Sequence, residues 1–179
     1  MTHVAIIVDW SGPYMSISEA KAAARDYEDG LYMAIGKKKY QKKPRQLQYV
    51  GIADELSSRV HTAHPKLPYL PELELWLGEI ASTGIPGPKK KKVDPCLDLA
   101  EWALAYFLEL PLNDRKRHHP PPRPVTVLNR WWYPDHETKR SRRPHSDWPD
   151  LVEYFGLEQG ARTSWISRES SQIWDPEDF

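Results

Sequence analysis

Short apolar runs separated by glycine, proline and lysine divide the first half of the chain into alternating strands and helices. Residues 30–35 and 47–52 are apolar runs that flank a segment of Lys, Gly and Pro, a pattern that predicts an antiparallel hairpin. Residues 73–81 carry leucines at alternate positions and predict a third strand beside this hairpin. Residues 3–8 predict a further strand that ends in a turn over residues 9–13.

Helical signals occur in three places. Residues 16–27 are rich in alanine and follow a serine that can cap the helix. Residues 54–64 carry apolar side chains at helical spacing after Asp54, which suits an N-terminus. Residues 95–109 carry a longer apolar stripe, and Asp94 stands at the capping position before a proline.

The pattern continues more weakly in the last third of the chain. Residues 125–128 predict a strand, residues 148–155 a short helix and residues 162–167 a final strand. The acidic tail from Asp175 is expected to fray or to occupy a basic groove.

These elements predict an α/β (α+β) fold with a small mixed or antiparallel central sheet. Helices at about 16–27, 54–64 and 95–109 would flank the sheet. The chain has 179 residues, of which 40% are hydrophobic, and this is enough for one core and one domain over 1–179.

Composition narrows the class of protein. No apolar run reaches the length that crosses a bilayer, and no signal-like segment opens the chain, so we expect a soluble cytoplasmic protein without a membrane partner. The single cysteine, Cys96, excludes an internal disulfide and a cysteine-based zinc site.

Charge is balanced in total but not in distribution. The chain has 25 basic and 25 acidic residues, yet residues 144–179 contain eight acids and two bases. Basic residues concentrate in loops, with further runs at 115–117 and 139–143. The two largest groups are Lys37, Lys38, Lys39, Lys42, Lys43 and Arg45, and then Lys89, Lys90, Lys91 and Lys92. One such run is typical of a solvated loop, but four together favour contact with nucleic-acid phosphates.

One carboxylate stands where an apolar residue is expected. Glu101 lies on the apolar stripe of the third helix, between Leu97 and Leu104. A dry, unpaired carboxylate there costs several kcal/mol, so it needs a cation, a partner or water. Two interpretations follow, an ion pair with an arginine or a metal ligand.

The hairpin and this carboxylate carry a resemblance to a known family. Two tripeptides at the hairpin resemble the paired motif that names the GIY-YIG nucleases, and Arg59 follows the second by eight residues, as an arginine does in that family. The tripeptides are Gly30-Leu31-Tyr32 and Tyr49-Val50-Gly51. Glu101, with Leu104, Pro111 and Asn113 after it, resembles the later Glu-to-Asn segment of the family.

This resemblance implies a metal-dependent DNA endonuclease. Glu101 would hold Mg²⁺ or Mn²⁺ at the scissile phosphate, and Arg59 would neutralise charge that develops on the phosphate oxygens. Tyr32 would be the general base, with Tyr49 supporting it or orienting the water. A free phenol has a pKa of about 10, so Tyr32 acts near neutrality only if cations favour its phenolate. Asn113 would fix the geometry of the site.

A histidine and a loop complete the expected site. Compact members of the family place a histidine shortly beyond the arginine, and His64 is our candidate for a hydrogen bond or proton to the phosphate; the alternative is a surface histidine. Residues 36–46 form a longer loop than compact members allow, which we interpret as a flexible basic finger along DNA or as a solubilising insertion.

The resemblance also sets boundaries and alternatives. Residues 28–114 would be the catalytic core, 1–27 an added strand and helix, and 115–179 a C-terminal extension. A stand-alone restriction, defence or mobile-element nuclease fits this length, as a homodimer if it cuts both strands. Two alternatives stay open, a non-catalytic nucleic-acid- or protein-binding module on the same fold, and a ribonuclease.

Overall fold

A computed structural model describes residues 2–81 and 95–179 of the protein. The strands are β1 Val4–Tyr14, β2 Gly30–Gly36, β3 Gln46–Ala53, β4 Glu74–Ile80, β5 Val125–Trp132, β6 Leu151–Gly156, β7 Gly160–Trp165 and β8 Ser170–Trp174. The α-helices in these ranges are α1 Ile17–Ala23, α2 Leu56–Arg59 and α3 Pro95–Phe107. Within the described ranges, no helix has both the length and the apolar content to span a bilayer.

All eight strands belong to one sheet, in the order β3-β2-β4-β1-β5-β6-β7-β8. β1 and β5 are parallel, and the other neighbouring pairs are antiparallel. The predicted hairpin and its third strand are confirmed, because β2 pairs with both β3 and β4. The mixed α+β class is also confirmed, but the sheet is larger than predicted, since β5 to β8 extend it beyond β1.

The two faces of the sheet carry separate cores. One core joins Leu31 and Met33 of β2 to the buried stripe of α3, including Leu104. The other contains Tyr32 and its neighbours around α1 and α2, including Leu56. Because side chains alternate along a strand, the position of Leu31 and Met33 in the first core fixes Tyr32 on the opposite face.

The turn predicted over residues 9–13 is wrong. β1 continues to Tyr14, because Trp10 pairs with Gly78 on one side and with Trp131 on the other. Hydrogen bonding on both edges overrides the local turn signal of Gly12 and its following proline. The pairing register shifts between Ser11 and Tyr14, which accommodates these residues as an irregularity in the strand.

Three other local predictions need correction. The helix predicted over 54–64 is a single turn that ends at Arg59, and its N-cap is Glu55, not Asp54. The helix predicted over 148–155 is the strand β6, because its residues pair with β5 and β7. The tail does not fray, since the ring of Phe179 stacks on Tyr106 with centroids 6.3 Å apart.

The structure confirms the predicted cap of α1, whereas the predicted cap of α3 lies outside the described residues. Ser16 caps α1, because its side-chain oxygen accepts a hydrogen bond from the Glu19 amide at 3.1 Å. Asp94, the predicted cap of α3, lies outside the described residues. α3 begins at Pro95 in the described range.

The outer edge of the hairpin is covered by the segment that follows α3. Asn113 accepts a hydrogen bond from the Val50 amide at 3.0 Å and donates one to the Val50 carbonyl at 2.7 Å. The Leu112 amide donates to the Gln48 carbonyl at 3.0 Å. These contacts satisfy backbone groups that an edge strand would otherwise expose, and they bind β3 to the end of α3.

Both motif glycines lie where a side chain would not fit. A Cβ on Gly30 would come within 2.6 Å of the Gly78 carbonyl oxygen, and one on Gly51 within 2.5 Å of the ring of Tyr32. Tyr32 and Gly51 are cross-strand partners, so the phenol lies over the glycine. The glycine of the second tripeptide therefore makes room for the tyrosine of the first.

We expect Gly51→Ala to destabilise the fold by about 1–3 kcal/mol, the usual cost of overpacking a rigid buried site. Urea denaturation of the purified protein measures the effect. In a Tyr32→Ala background the ring is absent, so the same change should cost less than half as much. Equal costs in both backgrounds would contradict the packing account.

Candidate active site

Three aromatic rings meet on one face of the hairpin. The centroids of Tyr32 and Tyr49 are 5.8 Å apart, and His64 lies 5.7 Å from each. Tyr32 pairs with Gly51, so Tyr49 is its diagonal neighbour on the same face of the adjacent strand. The hairpin register therefore brings the two motif tyrosines together.

His64 is buried and neutral, which rules out the surface alternative. It lies beyond the end of α2 and is 1% exposed. Its Nδ1 accepts hydrogen bonds from the amides of Lys66 at 3.1 Å and Leu67 at 3.2 Å. The proton must therefore be on Nε2, which donates to the Tyr32 hydroxyl oxygen at 3.0 Å. Burial, with smaller contributions from neighbouring positive charges, lowers the pKa of His64 to about 4.

Tyr32 is a protonated phenol in the folded protein. Its side chain is fully buried, and this burial, followed by the interaction with Tyr49, raises its pKa above the ordinary value. Arg59 acts in the opposite direction, because hydrogen bonding and charge from the guanidinium favour the phenolate. The proton-accepting role expected of Tyr32 thus depends on further positive charge at the site.

Arg59 interacts with both phenols of the hairpin. It lies in the last turn of α2, exposed to solvent, and hydrogen bonding to Tyr32 raises its pKa. Tyr49 contributes in the same direction to the pKa of Arg59. Burial raises the pKa of Glu101, and the charge of Arg59 is only a minor opposing influence there. Among residues 2–81 and 95–179, no hydrogen bond or ion pair joins Glu101 to either phenol, and α3 packs on the opposite face of the sheet from Tyr32.

Glu101 projects from α3 with only 12% of its side chain exposed, and it is paired with a cation. Burial raises the pKa of Glu101, and Lys116 opposes this shift by charge and by a hydrogen bond to Oε2. The same ammonium contacts Asp98 Oδ1 at 2.9 Å. Of the two interpretations from the sequence, an ion pair is present, but its cation is a lysine and not an arginine.

Two residues near the site carried no recognisable signal in the sequence. Lys66 places Nζ 5.2 Å from the ring centroid of Tyr49 and pairs with Asp114 at 2.6 Å. Lys116 belongs to a basic run that predicted phosphate contact, yet it turns inward to the carboxylates of α3. A lysine in a charged run looks the same in the sequence whether it faces solvent or an acid.

The loop predicted as a flexible finger is held by glutamines. Gln48 donates to the Gly36 carbonyl at 2.9 Å and to the side chain of Gln41 at 3.1 Å. Lys37 pairs with Glu72 at 2.8 Å, and Arg45 pairs at the same distance with the buried Glu74. The exposed cations of this loop are Lys38, Lys39, Lys42 and Lys43.

The other basic runs contribute fewer cations than expected. Lys89, Lys90, Lys91 and Lys92 lie outside the described residues. In the run 139–143, Arg143 pairs with Asp150 at 2.8 Å. Arg140 lies against the rings of the buried Trp76 and the exposed Tyr133. This run adjoins the loop at 37–45, because His145 Nε2 lies 2.9 Å from the Arg45 carbonyl.

The described residues contain no group of three or more His, Cys, Asp or Glu side chains that could hold a metal ion by themselves. Comparison with protein-family models, with curated proteins and with solved structures gives no match for this chain.

The buried histidine makes stability depend on pH. Below pH 6.5 an unfolded His64 takes up a proton, whereas the folded side chain resists protonation until about pH 4. The free energy of unfolding should therefore fall as the pH drops across this window, by at most about 3 kcal/mol. Urea denaturation from pH 4 to pH 7 measures the slope. His64→Gln keeps a donor for Tyr32 but does not titrate, so an unchanged slope in this variant would contradict the assignment.

Proposed function

We propose that this protein is a metal-dependent DNA endonuclease of the GIY-YIG type, which hydrolyses phosphodiester bonds. The observation that supports it most is the convergence of Tyr32, Tyr49, Arg59 and His64 on one face of the hairpin. Glu101 adds a carboxylate within the electrostatic influence of Arg59. Polar side chains from separate segments of the chain come together at this place. A core that served only for packing would not require such a cluster of polar groups.

Each group has a role in in-line attack of water on a phosphate. Arg59 is exposed and charged, so its guanidinium can bind non-bridging oxygens, where its charge is most useful in the transition state. The two phenols orient the attacking water, and Tyr32 accepts its proton once its phenolate is favoured. The Nε2 proton of His64 points at the Tyr32 oxygen and stabilises that phenolate without leaving the ring.

The residues present fit a divalent cation. The ammonium of Lys116 serves as a stand-in ion, because it shows that oxygens of α3 converge on one positive charge. Glu101 would hold Mg²⁺ or Mn²⁺, which takes its remaining ligands from water and substrate phosphate. When bound, the ion supplies Lewis-acid polarisation of the phosphate and neutralises developing charge.

DNA is the proposed substrate because exposed cations lie on two adjoining loops. The loop at 37–45 presents Lys38, Lys39, Lys42 and Lys43, and the neighbouring run presents Lys139 and Arg142. If the protein cuts both strands, two copies must act together, since one site cuts one strand.

A non-catalytic nucleic-acid-binding module is the second candidate. Two observations favour it, namely the ion pair that already satisfies Glu101 and the raised pKa of Tyr32. Such a module would bind DNA through the same lysines and would leave the phosphodiester bonds intact.

A plasmid-nicking assay with Mg²⁺ or Mn²⁺ separates these candidates. We expect the wild type to nick DNA, and Glu101→Gln to nick at least about 100-fold more slowly while it still binds DNA, because a ligand and its charge are lost. Glu158→Gln, at an exposed position, is the matched control and should cut normally. Metal-independent binding without any cutting of DNA or RNA by the wild type would identify the module instead.

The loop at 37–45 should carry the salt dependence of DNA binding. Replacing Lys38, Lys39, Lys42 and Lys43 by alanine should reduce the slope of log affinity against log salt by about 2 to 4, since each lost phosphate contact removes about 0.9. Fluorescence anisotropy with a labelled duplex measures this slope. Lys37→Ala is the control, because Glu72 already neutralises that lysine. If the fourfold variant and the wild type show the same slope of log affinity against log salt, the loop at 37–45 does not contact DNA phosphates and has only a solubilising role.

A further inference from the structure

Lys116 occupies a cradle of three oxygen atoms. Its Nζ donates to Glu101 Oε2, to Asp98 Oδ1 at 2.9 Å and to the Asp98 carbonyl at 3.3 Å. Asp98 and Glu101 are three residues apart on α3, so both carboxylates emerge on the same side of the helix. The ring of Trp102 lies beside the ammonium, 5.8 Å from Nζ. Oxygen ligands of this kind are those that Mg²⁺ and Mn²⁺ prefer.

The charges in this cradle are arranged as they would be around a bound cation. Two carboxylates on adjacent turns repel each other, and Glu101 is largely shielded from water. One ammonium neutralises only one of the two negative charges, whereas a divalent ion would neutralise both. Lys116 is itself 20% exposed, so its flexible side chain can leave toward solvent while the helix stays in place.

We propose that Lys116 is an internal counter-ion that a divalent cation displaces, and that Asp98 then becomes a second carboxylate ligand beside Glu101. The inference builds on the metal site of the proposed function and adds a ligand and a competitor to it. Before metal arrives, the ammonium holds both carboxylates together. Metal binding is then an exchange of one cation for another, so the apparent affinity is weakened by the occupancy of Lys116.

The exchange is tested by Mn²⁺ binding to the full chain without DNA, with free Mn²⁺ measured by electron paramagnetic resonance. Removing the competitor in Lys116→Met should tighten binding by about 10-fold or more. Lys116→Arg retains the charge and should not tighten it, and Lys116→Met combined with Asp98→Asn should lose the gain. Unchanged or weaker binding in Lys116→Met that folds normally by circular dichroism overturns the proposal.

A second measurement uses the wild type and does not depend on a variant that folds. Acylation of lysine amines, followed by mass spectrometry, should modify Lys116 several-fold faster when Mn²⁺ is added at constant ionic strength. Lys66, which is paired with Asp114, is the internal control and should react at a constant rate. A constant rate at Lys116 overturns the proposal.

The two proposals fail in different ways. If Lys116→Met binds Mn²⁺ more tightly but the wild type never cuts DNA, the cation exchange is supported and the nuclease assignment is wrong. If the wild type cuts DNA but Lys116→Met leaves the Mn²⁺ affinity unchanged, the nuclease assignment is supported and the cation exchange is wrong.

Discussion

The contact between the Tyr32 ring and Gly51 is the constraint on which the site depends. The ring lies where any larger residue at position 51 would collide with it. A buried hydroxyl needs partners, and His64 supplies a fixed donor because two backbone amides hold its other nitrogen. Arg59 meets the same phenol from the solvent side. The packing of Tyr32 on Gly51 thus fixes the hydroxyl that meets both the Nε2 proton of His64 and the positive charge of Arg59.

The second half of the site is organised by charge. Burial raises the pKa of Glu101, and Lys116 opposes this shift as its cation in the folded chain. The same demand that makes this carboxylate expensive for stability makes it suitable for a metal. A buried carboxylate needs a cation for the same physical reason whether that cation is a lysine or a metal ion, and in the structure the cation is Lys116.

The fold holds these two halves together at the edge of the sheet. β3 is the outermost strand, and Asn113 binds its backbone as another strand would. α3 packs on one face of the hairpin, while Tyr32 and its neighbours occupy the other. The segment after α3 covers this edge, and Lys116, the partner of Glu101, follows Asn113 in the same segment.

Local patterns in the sequence were enough to predict the hairpin, its third strand and α3, because period-two and helical spacings are local properties. They did not determine the ends of β1 or the identity of β6, since pairing on neighbouring strands overrode turn and helix signals there. Only the tertiary structure decided that His64 is buried and neutral, and that Lys116 faces Glu101 rather than solvent. A side chain's partner across the fold has no signature in local sequence, because the residues that set its charge and burial are distant along the chain and adjacent in space.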